Sequence, residues 1–233
     1  MLRTDVIQAL LNAKKKPAYL EIGVEHGQNF FSIKAGSKTA VDPEFGFSFT
    51  ERLRWIYKNP SNLNAKYYEV TSDKYFESGV GAKGMDVVFI DGLHTYQQSL
   101  KDVLNSLSIL NDNGVIVMHD CNPPHKAAAH PSETKEGAVM ANVPGWTGEW
   151  CGDVWKTICF LRGTRRDLRT FVLNTDYGLG IVMKGDADEY LNLSSEQVDA
   201  MTYDNLAAQR EKILGLRNKE YFCEFLRTIK SLR

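Results

Sequence analysis

Two short segments of the sequence each place a histidine beside a carboxylate. Asp91 is followed three residues later by His94, and His119 stands directly before Asp120. A neutral imidazole can remove a proton from a hydroxyl group near pH 7, and paired carboxylates can hold a hard divalent cation. These residue types indicate acid–base chemistry, a metal site, or both. The structural alternatives are a helix-capping role for Asp91 and a capping or solvent-facing position for His94.

Each of the two segments follows a continuous apolar run that ends in an acid, which is typical of a strand buried on both faces. Adjacent carboxyl ends of parallel strands lie about 5 Å apart, so Asp91 and Asp120 are expected to converge. Two carboxylates there either bind a hard divalent cation, such as a Mg²⁺ that keeps several waters, or repel each other and raise the pKa of one of them. His119 is a third candidate ligand. Imidazole suits zinc, iron, copper or nickel better than Mg²⁺, and the His119 ring has the alternative of pointing away from the site.

A glycine-containing turn follows the first apolar run, and Glu21, Gly23 and Gly27 lie within the seven residues 21–27. Gly23 would let the backbone approach a ligand, and a helix expected from about Gln28 would offer N–H groups. The GxGxxG pattern of pyrophosphate-binding turns is absent. An acid before the first glycine suits a cationic or zwitterionic ligand better than a pyrophosphate. The alternative is a plain turn between strand and helix.

Two further positions extend this candidate site. Asp42 follows Glu21 by 21 residues and ends the second apolar run, where an acid can accept hydrogen bonds from ribose hydroxyl groups. Its alternative is a turn-forming role before Pro43. Ser72 and Asp73 follow the third run and are placed to meet an adenine edge, with helix capping as the equal alternative. Together the turn and Asp42 predict a nucleoside ligand.

The elements that must position these residues alternate between strands and amphipathic helices. Residues 95–110 carry apolar side chains at helical spacing between two strands, which predicts a right-handed parallel crossover and a doubly wound α/β sheet. Five parallel strands and a terminal hairpin joined by residues 175–177 are expected. The predicted strands are 18–24, 38–42, 66–71, 86–91, 114–120, 169–174 and 178–184.

We predict one domain over residues 1–186 and a helical appendage over 187–233. The appendage is expected to pack on the domain or on a second copy of the chain, and no strand is predicted in it. Residues 121–150 hold four of the seven prolines and follow a strand's carboxyl end, which predicts a lid or substrate loop. Four arginines over residues 162–169 suggest either an anionic contact or a solvated helix end.

Composition limits the classes of function. The 28 basic and 29 acidic residues leave a formal charge of −1, which argues against a nucleic-acid binder. The sequence contains no run of about 20 apolar residues that would span a membrane. Its four cysteines lack metal or disulfide spacing, and no export signal is evident, so a cytoplasmic protein with reduced thiols is expected.

These motifs, in this order, resemble class I S-adenosylmethionine-dependent methyltransferases, and most closely a bacterial subgroup of small O-methyltransferases that modify sugars and macrolides. The likeness spans about residues 18–185. The resemblance implies a seven-stranded Rossmann-like sheet with an antiparallel last strand. The segments that carry it are LEIGVEHGQN (20–29), VD (41–42), VVFIDGLHTYQQSLKDV (87–103), GVIVMHD (114–120) and GDVWK (152–156).

The resemblance also implies roles for individual residues. The turn at Glu21, Gly23 and Gly27 would cradle the methionine part of the cofactor, and Asp42 would hold its ribose. Asp91 and Asp120 would bind a divalent cation, and His94 would be the base.

The expected reaction is methyl transfer to a hydroxyl group of a small molecule, with a sugar or glycoconjugate as the expected acceptor. Two rivals stay open: a nicotinamide-dependent oxidoreductase on a related sheet, and a non-catalytic cofactor-binding module, which His119 and Cys121 keep in consideration. The acceptor, the metal and the oligomeric state are not determined by the sequence.

Overall fold

The computed structural model describes residues 1–79 and 83–231, and these fold into two compact units. The first unit comprises Met1–Gly92, Asp102–Val117 and Cys223–Arg233, and the second comprises Leu93–Lys101 and Met118–Phe222. The predicted boundary after residue 186 stays a prediction, and its appendage ends two residues beyond the described part of the chain.

The first unit is built on a twisted set of strands whose interior residues are almost fully buried, including Leu20, Val87 and Phe89. The strands are β1 (Ala18–Ile22), β2 (Ser37–Asp42), β3 (Lys66–Glu69), β4 (Met85–Ile90) and β5 (Leu110–Met118). Their order is β3-β2-β1-β4-β5, and β1 pairs in parallel with both β2 and β4. The chain therefore builds outward from β1 on one side, then returns to build on the other. This reversal is the topological switch point of a doubly wound sheet.

Four helices and a 3₁₀ turn precede or connect these strands. The helix α3 begins where Ser48 and Glu51 form a reciprocal cap, and no residue of α3 is buried. By contrast, α1 buries an apolar face that includes Val6 and Leu10. The helices are α1 (Arg3–Asn12), α2 (Gln28–Ser32), α3 (Phe49–Lys58) and α4 (Ser72–Glu77), and the 3₁₀ turn covers Pro60–Asn62. The helix α5 (Tyr96–Ile109) begins in the second unit and ends in the first.

The second unit combines a hairpin with short helices. Its strands are β6 (Leu168–Leu173), β7 (Leu179–Lys184) and β8 (Leu216–Arg217), and its helices are α6 (Lys135–Met140), α7 (Trp155–Thr164), α8 (Ser195–Asp199) and α9 (Tyr203–Leu214). A last helix, α10 (Lys219–Ser231), follows β8. The strands β6 and β7 are antiparallel, as the short joint over residues 175–177 predicted, and β8 lies parallel to β6.

The predicted fold class is confirmed: the fold is α/β, mostly parallel, with the antiparallel hairpin near its end. Two details differ from the prediction. The appendage contains the strand β8, which forms because Gly215, at φ +58°, ends α9 and turns Leu216 onto β6. Residues 121–150 contain α6, a six-residue helix too short to show periodicity. Within the described residues, no helix has the length and apolar character needed to cross a membrane.

The four arginines predicted as a patch are occupied within the second unit. Arg162 is buried and donates to the backbone oxygens of Thr170, Lys212 and Ile213 and to the Glu189 carboxylate. Arg165 pairs with Asp167, Arg166 lies over the Tyr190 ring, and Arg169 pairs with Asp188. These contacts favour a structural role over anion binding.

Candidate functional site

The turn after β1 approaches the end of β4 so closely that only glycine fits at position 23. Gly23 has φ +81°, and a Cβ there would lie 2.1 Å from the backbone oxygen of Asp91. The Gly23 N–H donates to Val41 O at 2.9 Å. On the other side, the Asp91 N–H donates to Ile22 O at the same distance of 2.9 Å. Because β1 and β4 flank the switch point, this turn lies where open α/β sheets bind ligands.

Asp42 builds this turn with its carboxylate. Its Oδ2 accepts hydrogen bonds from the backbone N–H groups of Val24 and Glu25 at 2.7 and 2.8 Å. Its Oδ1 accepts from the N–H of Glu44 at 2.9 Å. Both alternatives from the sequence remain compatible with this geometry, because each carboxylate oxygen can accept more than one hydrogen bond. The ribose contact therefore stays a prediction, and the turn-forming role is observed.

Glu21 lies inside the fold. Its side chain is buried, and its Oε2 accepts from the Tyr19 hydroxyl at 2.5 Å and from Asn29 Nδ2 at 2.9 Å. Burial raises the pKa of Glu21 to about 8, against opposing hydrogen bonds from Tyr19 and Asn29. Near neutral pH the carboxyl group is therefore largely protonated, which weakens the electrostatic reason for expecting it to attract a cationic cofactor.

The remaining predicted cofactor residues stand at helix starts. Gly27 precedes α2 at φ +72°, and a Cβ there would lie 2.4 Å from the Phe31 ring. Thr71 caps α4 by accepting from the Lys74 N–H at 3.4 Å, which places Ser72 and Asp73 in its first turn. The capping alternative is thus observed at Thr71, next to the two residues proposed from the sequence.

Asp91, at the end of β4, is engaged by a cation from the start of the chain. Arg3 Nη1 donates to Asp91 Oδ2 at 2.6 Å, and both side chains are largely shielded from solvent. The guanidinium group compensates a carboxylate that a metal ion would otherwise compensate. At the start of α5, Thr95 Oγ1 and Asp153 Oδ1 accept backbone N–H groups at 3.4 and 2.7 Å, so these two side chains cap this helix.

His94 lies in the second unit, held from two sides. Its Nδ1 is 3.0 Å from the backbone oxygen of Trp150 and 3.3 Å from Asp120 Oδ2. The Trp150 ring stacks on the imidazole with 4.9 Å between centroids. A carbonyl oxygen only accepts hydrogen bonds, so we assign the proton of the neutral ring to Nδ1 and the basic lone pair to Nε2.

A row of alternating histidine and aspartate side chains continues from His94. Asp120 Oδ2 is 3.2 Å from His119 Nδ1, and His119 Nε2 is 3.5 Å from Asp176 Oδ1. We call the four residues His94, Asp120, His119 and Asp176 the His/Asp row. The two ring nitrogens of His119 thus face two different carboxylates, and the side chains of Asp120, His119 and Asp176 are each less than a tenth exposed.

Backbone hydrogen bonds hold the row together. The N–H groups of Cys121 and Asn122 donate to the oxygens of Gly178 and Tyr177, at 3.0 and 2.7 Å. This joins the residues after β5 to the tip of the β6–β7 hairpin. Asp120 itself has φ +59°, in the left-handed region that non-glycine residues seldom occupy.

Sequence reasoning missed three of these partners. Arg3, Asp153 and Asp176 meet Asp91, Tyr96 and His119 across 88, 57 and 57 residues of sequence. Asp176 was seen only as part of a hairpin joint. The available signal was the aspartate in the Asp-Tyr-Gly joint, because glycine adopts the backbone angles of a tight turn more easily.

Known protein families and solved structures resemble parts of this chain. Residues 20–121 match a family model described as a methyltransferase domain. A search of curated proteins gives no match. Among solved structures, the chain resembles cofactor-bound Rv0187 from MTB, with 14% identity, a TM-score of 0.56 and coverage of 80% of this chain and 82% of the other.

Two further solved structures resemble the chain in fold. One is the O-methyltransferase TomG from Streptomyces achromogenes, involved in tomaymycin synthesis and in complex with SAM, with 11% identity, a TM-score of 0.54 and 78% of each chain covered. The other is SAH-bound PaMTH1 from Podospora anserina, with 16% identity, a TM-score of 0.53 and coverage of 78% and 76%. These likenesses establish the Rossmann-like methyltransferase fold.

Proposed function

We propose that the protein is an S-adenosylmethionine-dependent O-methyltransferase acting on a hydroxyl group of a small molecule. The observation that carries the proposal is the match of residues 20–121 to the methyltransferase domain. The turn at Gly23, at the switch point of the sheet, supports it, as does the SAM or SAH bound in structures of the same fold. The sugar and macrolide subgroup stays a prediction.

The cofactor would bind along the carboxyl ends of β1, β2 and β3. Gly23 and Gly27 leave room for its methionine part, and Asp42 Oδ1, with one N–H donor, has a lone pair for a ribose hydroxyl. Ser72 and Asp73 would face the adenine, and Asp91 would close the site at the end of β4. Glu21 supports the turn from inside the fold through Tyr19 and Asn29.

His94 would be the base of the transfer. As the acceptor oxygen attacks the methyl carbon, the carbon–sulfur bond of the sulfonium breaks and S-adenosylhomocysteine leaves. The hydroxyl proton moves to His94 Nε2, and the products are a methyl ether and an imidazolium. Asp120, at 3.3 Å from Nδ1, stabilises that imidazolium, and the Trp150 oxygen fixes the ring orientation.

A divalent cation on Asp91 and Asp120, with His119 as a third ligand, stays a prediction. Asp91, His94 and Asp120 each offer one oxygen or nitrogen ligand atom, and β4 and β5 are neighbours in the sheet. The carboxylates of Asp91 and Asp120 suit a divalent ion, which would stabilise the developing alkoxide when bound, and His94 is kept as the base. His119 fits less well as a ligand, because both of its ring nitrogens face carboxylates. Arg3 competes with the cation for Asp91.

The identity of the acceptor also stays a prediction. A sugar hydroxyl is expected from the resemblance, and the loop over residues 121–150 is its proposed lid. Within that loop, the Trp150 indole is already engaged, since its Nε1 donates to His130 O at 2.9 Å and its ring stacks on His94. Association of two copies through the C-terminal helices is likewise a prediction.

Calorimetric titration with S-adenosylhomocysteine tests the cofactor class. We expect micromolar binding, and we expect NAD to give none. Repeating the titration after chelation, and then with Mg²⁺ and a sugar acceptor, tests the cation: acceptor binding that chelation leaves unchanged removes the metal from the mechanism. Binding of NAD in place of S-adenosylhomocysteine would favour the oxidoreductase. Binding of S-adenosylhomocysteine without product from a panel of hydroxyl acceptors would favour the non-catalytic module.

Replacement of the proposed base gives a sharper test. His94→Ala is expected to lower turnover about 100-fold or more, because the acceptor hydroxyl loses its proton acceptor. Affinity for S-adenosylhomocysteine should change little, because the cofactor turn does not involve this ring. His130→Ala is the matched control, since it keeps the backbone oxygen that receives Trp150. Near-normal turnover in His94→Ala would overturn the assignment of the base.

A further inference from the structure

We propose that Asp176, acting through His119, is a positioning residue that fixes Asp120 and thereby the imidazole of His94. This inference rests on the proposed function, because it gives the His/Asp row its purpose in orienting the base. Asp176 lies in the turn between β6 and β7, far in sequence from the other three residues.

Three side-chain contacts connect Asp176 to His94 through His119 and Asp120. Asp176 Oδ1 faces His119 Nε2 at 3.5 Å, and His119 Nδ1 faces Asp120 Oδ2 at 3.2 Å. The same Asp120 oxygen faces His94 Nδ1 at 3.3 Å. A neutral imidazole carries one N–H and one lone pair, so a carboxylate that draws the N–H to one ring nitrogen leaves the lone pair at the other. The position of Asp176 therefore bears on how Asp120 meets His94.

The burial of the two carboxylates in the row also supports an effect of Asp176 on His94. The side chains of Asp120 and Asp176 are only 6% and 9% exposed, and His119 lies between them with 6% exposed. Buried carboxylates need compensating donors, and a neutral imidazole between two of them can donate its one N–H to only one at a time. Loss of one carboxylate would let the His119 ring turn toward the other and alter the single oxygen shared with His94.

The backbone also limits what position 176 can be. Asp176 and Tyr177 have φ +48° and +57°, and Asp120 has φ +59°, whereas glycine would adopt these angles without strain. Aspartate and asparagine tolerate this region better than other side chains. Asp176→Asn therefore keeps the shape and the backbone preference while it removes the charge. Asp167→Asn is a matched control, because Asp167 precedes β6 and its carboxylate pairs with the neighbouring Arg165.

The first readout needs no substrate. At one fixed pH, the ring ¹⁵N shifts of the five histidines are recorded for the wild type, Asp176→Asn and Asp167→Asn. We expect Asp176→Asn to shift the signals of His119 and also those of His94, at the other end of the His/Asp row. The control should leave both unchanged. A change confined to His119, or equal changes in the control, would overturn the inference. Should Asp176→Asn fail to fold, His119→Gln breaks the same row and must shift His94.

The second readout is kinetic. Asp176→Asn is expected to lower kcat about tenfold, with the KM for S-adenosylmethionine and the melting temperature close to wild type. The Asn change should add little when Asp120→Asn is already present, because both act through the same oxygen. Full additivity would contradict the inference. A wild type that neither binds S-adenosylhomocysteine nor forms product would defeat the proposed function, and the ring shifts would still decide the role of Asp176.

Discussion

Asp42 and Asp120 are both acids at or just beyond the carboxyl end of a strand, yet their surroundings differ. Asp42 accepts from three backbone N–H groups at 2.7–2.9 Å, which belong to the turns it organises. Asp120 faces two histidine side chains at 3.2 and 3.3 Å. Backbone donors are fixed by the path of the chain, whereas imidazole rings can turn and exchange protons. The first arrangement suits a rigid cradle, and the second suits a reaction.

The largest expected effect comes from breaking the cradle at Gly23. Gly23→Ala adds a Cβ that would lie 2.1 Å from a backbone oxygen, at a φ of +81°. A backbone atom cannot move aside as a flexible side chain would, so we expect a loss of more than about 4 kcal/mol in the free energy of unfolding, measured by denaturant titration.

Gly79→Ala separates the two causes of that loss. Gly79 has φ +62°, and no atom of the described residues lies within 4 Å of the added Cβ, so we expect only the strain of about 1–2 kcal/mol. Similar losses in the two variants would show that the close approach to Asp91 is unimportant.

Exchanging each acid for its amide sharpens the comparison itself. Asp42→Asn is expected to weaken binding of S-adenosylhomocysteine about tenfold or more, because the charged acceptor of two N–H groups is lost. At saturating cofactor its kcat should stay within about twofold. Asp120→Asn should do the reverse and lower kcat about 100-fold with unchanged cofactor affinity. Calorimetry and steady-state kinetics on both variants test this, and equal losses of affinity in the two would remove the distinction.

The smallest expected effect is that of Glu21→Gln, which tests whether the cradle needs a charge. The folded protein keeps a proton on Glu21 up to about pH 8, whereas the unfolded chain releases it near pH 4.5. The folded state therefore binds more protons between these values, and the stability of the wild type falls as pH rises through that range. Glu21→Gln lacks this fall, so its melting temperature should overtake that of the wild type by a few degrees near pH 8.

The pH range of this experiment also includes the titration of a second buried group, Lys38. Burial lowers the pKa of Lys38 to about 7 and the charge of Glu21 opposes this shift, so the contribution of Lys38 to stability rises with pH above 7 and depends on the residue at position 21. Melting curves at pH 5, 6, 7 and 8 give the comparison. Parallel curves for the two proteins would show that Glu21 is ionised in the folded state.

Much of the frame follows from the sequence because it depends on local pattern. Every predicted strand exists, and all ends lie within two residues of those predicted except the start of β5, which is four residues earlier. Continuous apolar runs and a three-residue hairpin joint are strong local signals. The strand β8 has only two residues and pairs only because Gly215 turns the chain, so it carries no such signal.

The site was predicted less completely because its partners come from distant parts of the chain. Spacing placed Asp91, His94 and Asp120 after neighbouring strands. It gave no sign that Arg3 would pair with Asp91, or that Asp176 would face His119. The burial of Glu21 could not be predicted from its local motif either. The motif suggested a charged acid for a cationic ligand, whereas the structure places a largely protonated carboxyl group inside the fold.

The contacts of Arg162 have a consequence for how the second unit can be divided. Its guanidinium group draws acceptors both from β6, at Thr170, and from residues beyond 186, at Glu189, Lys212 and Ile213. A chain cut after β7 would keep the buried cation and lose three of the four acceptors named here, at a cost of several kcal/mol. The C-terminal residues are therefore a folding requirement of the segment that precedes them, and limited proteolysis in that region would be expected to unfold α7 and β6 rather than release an intact smaller enzyme.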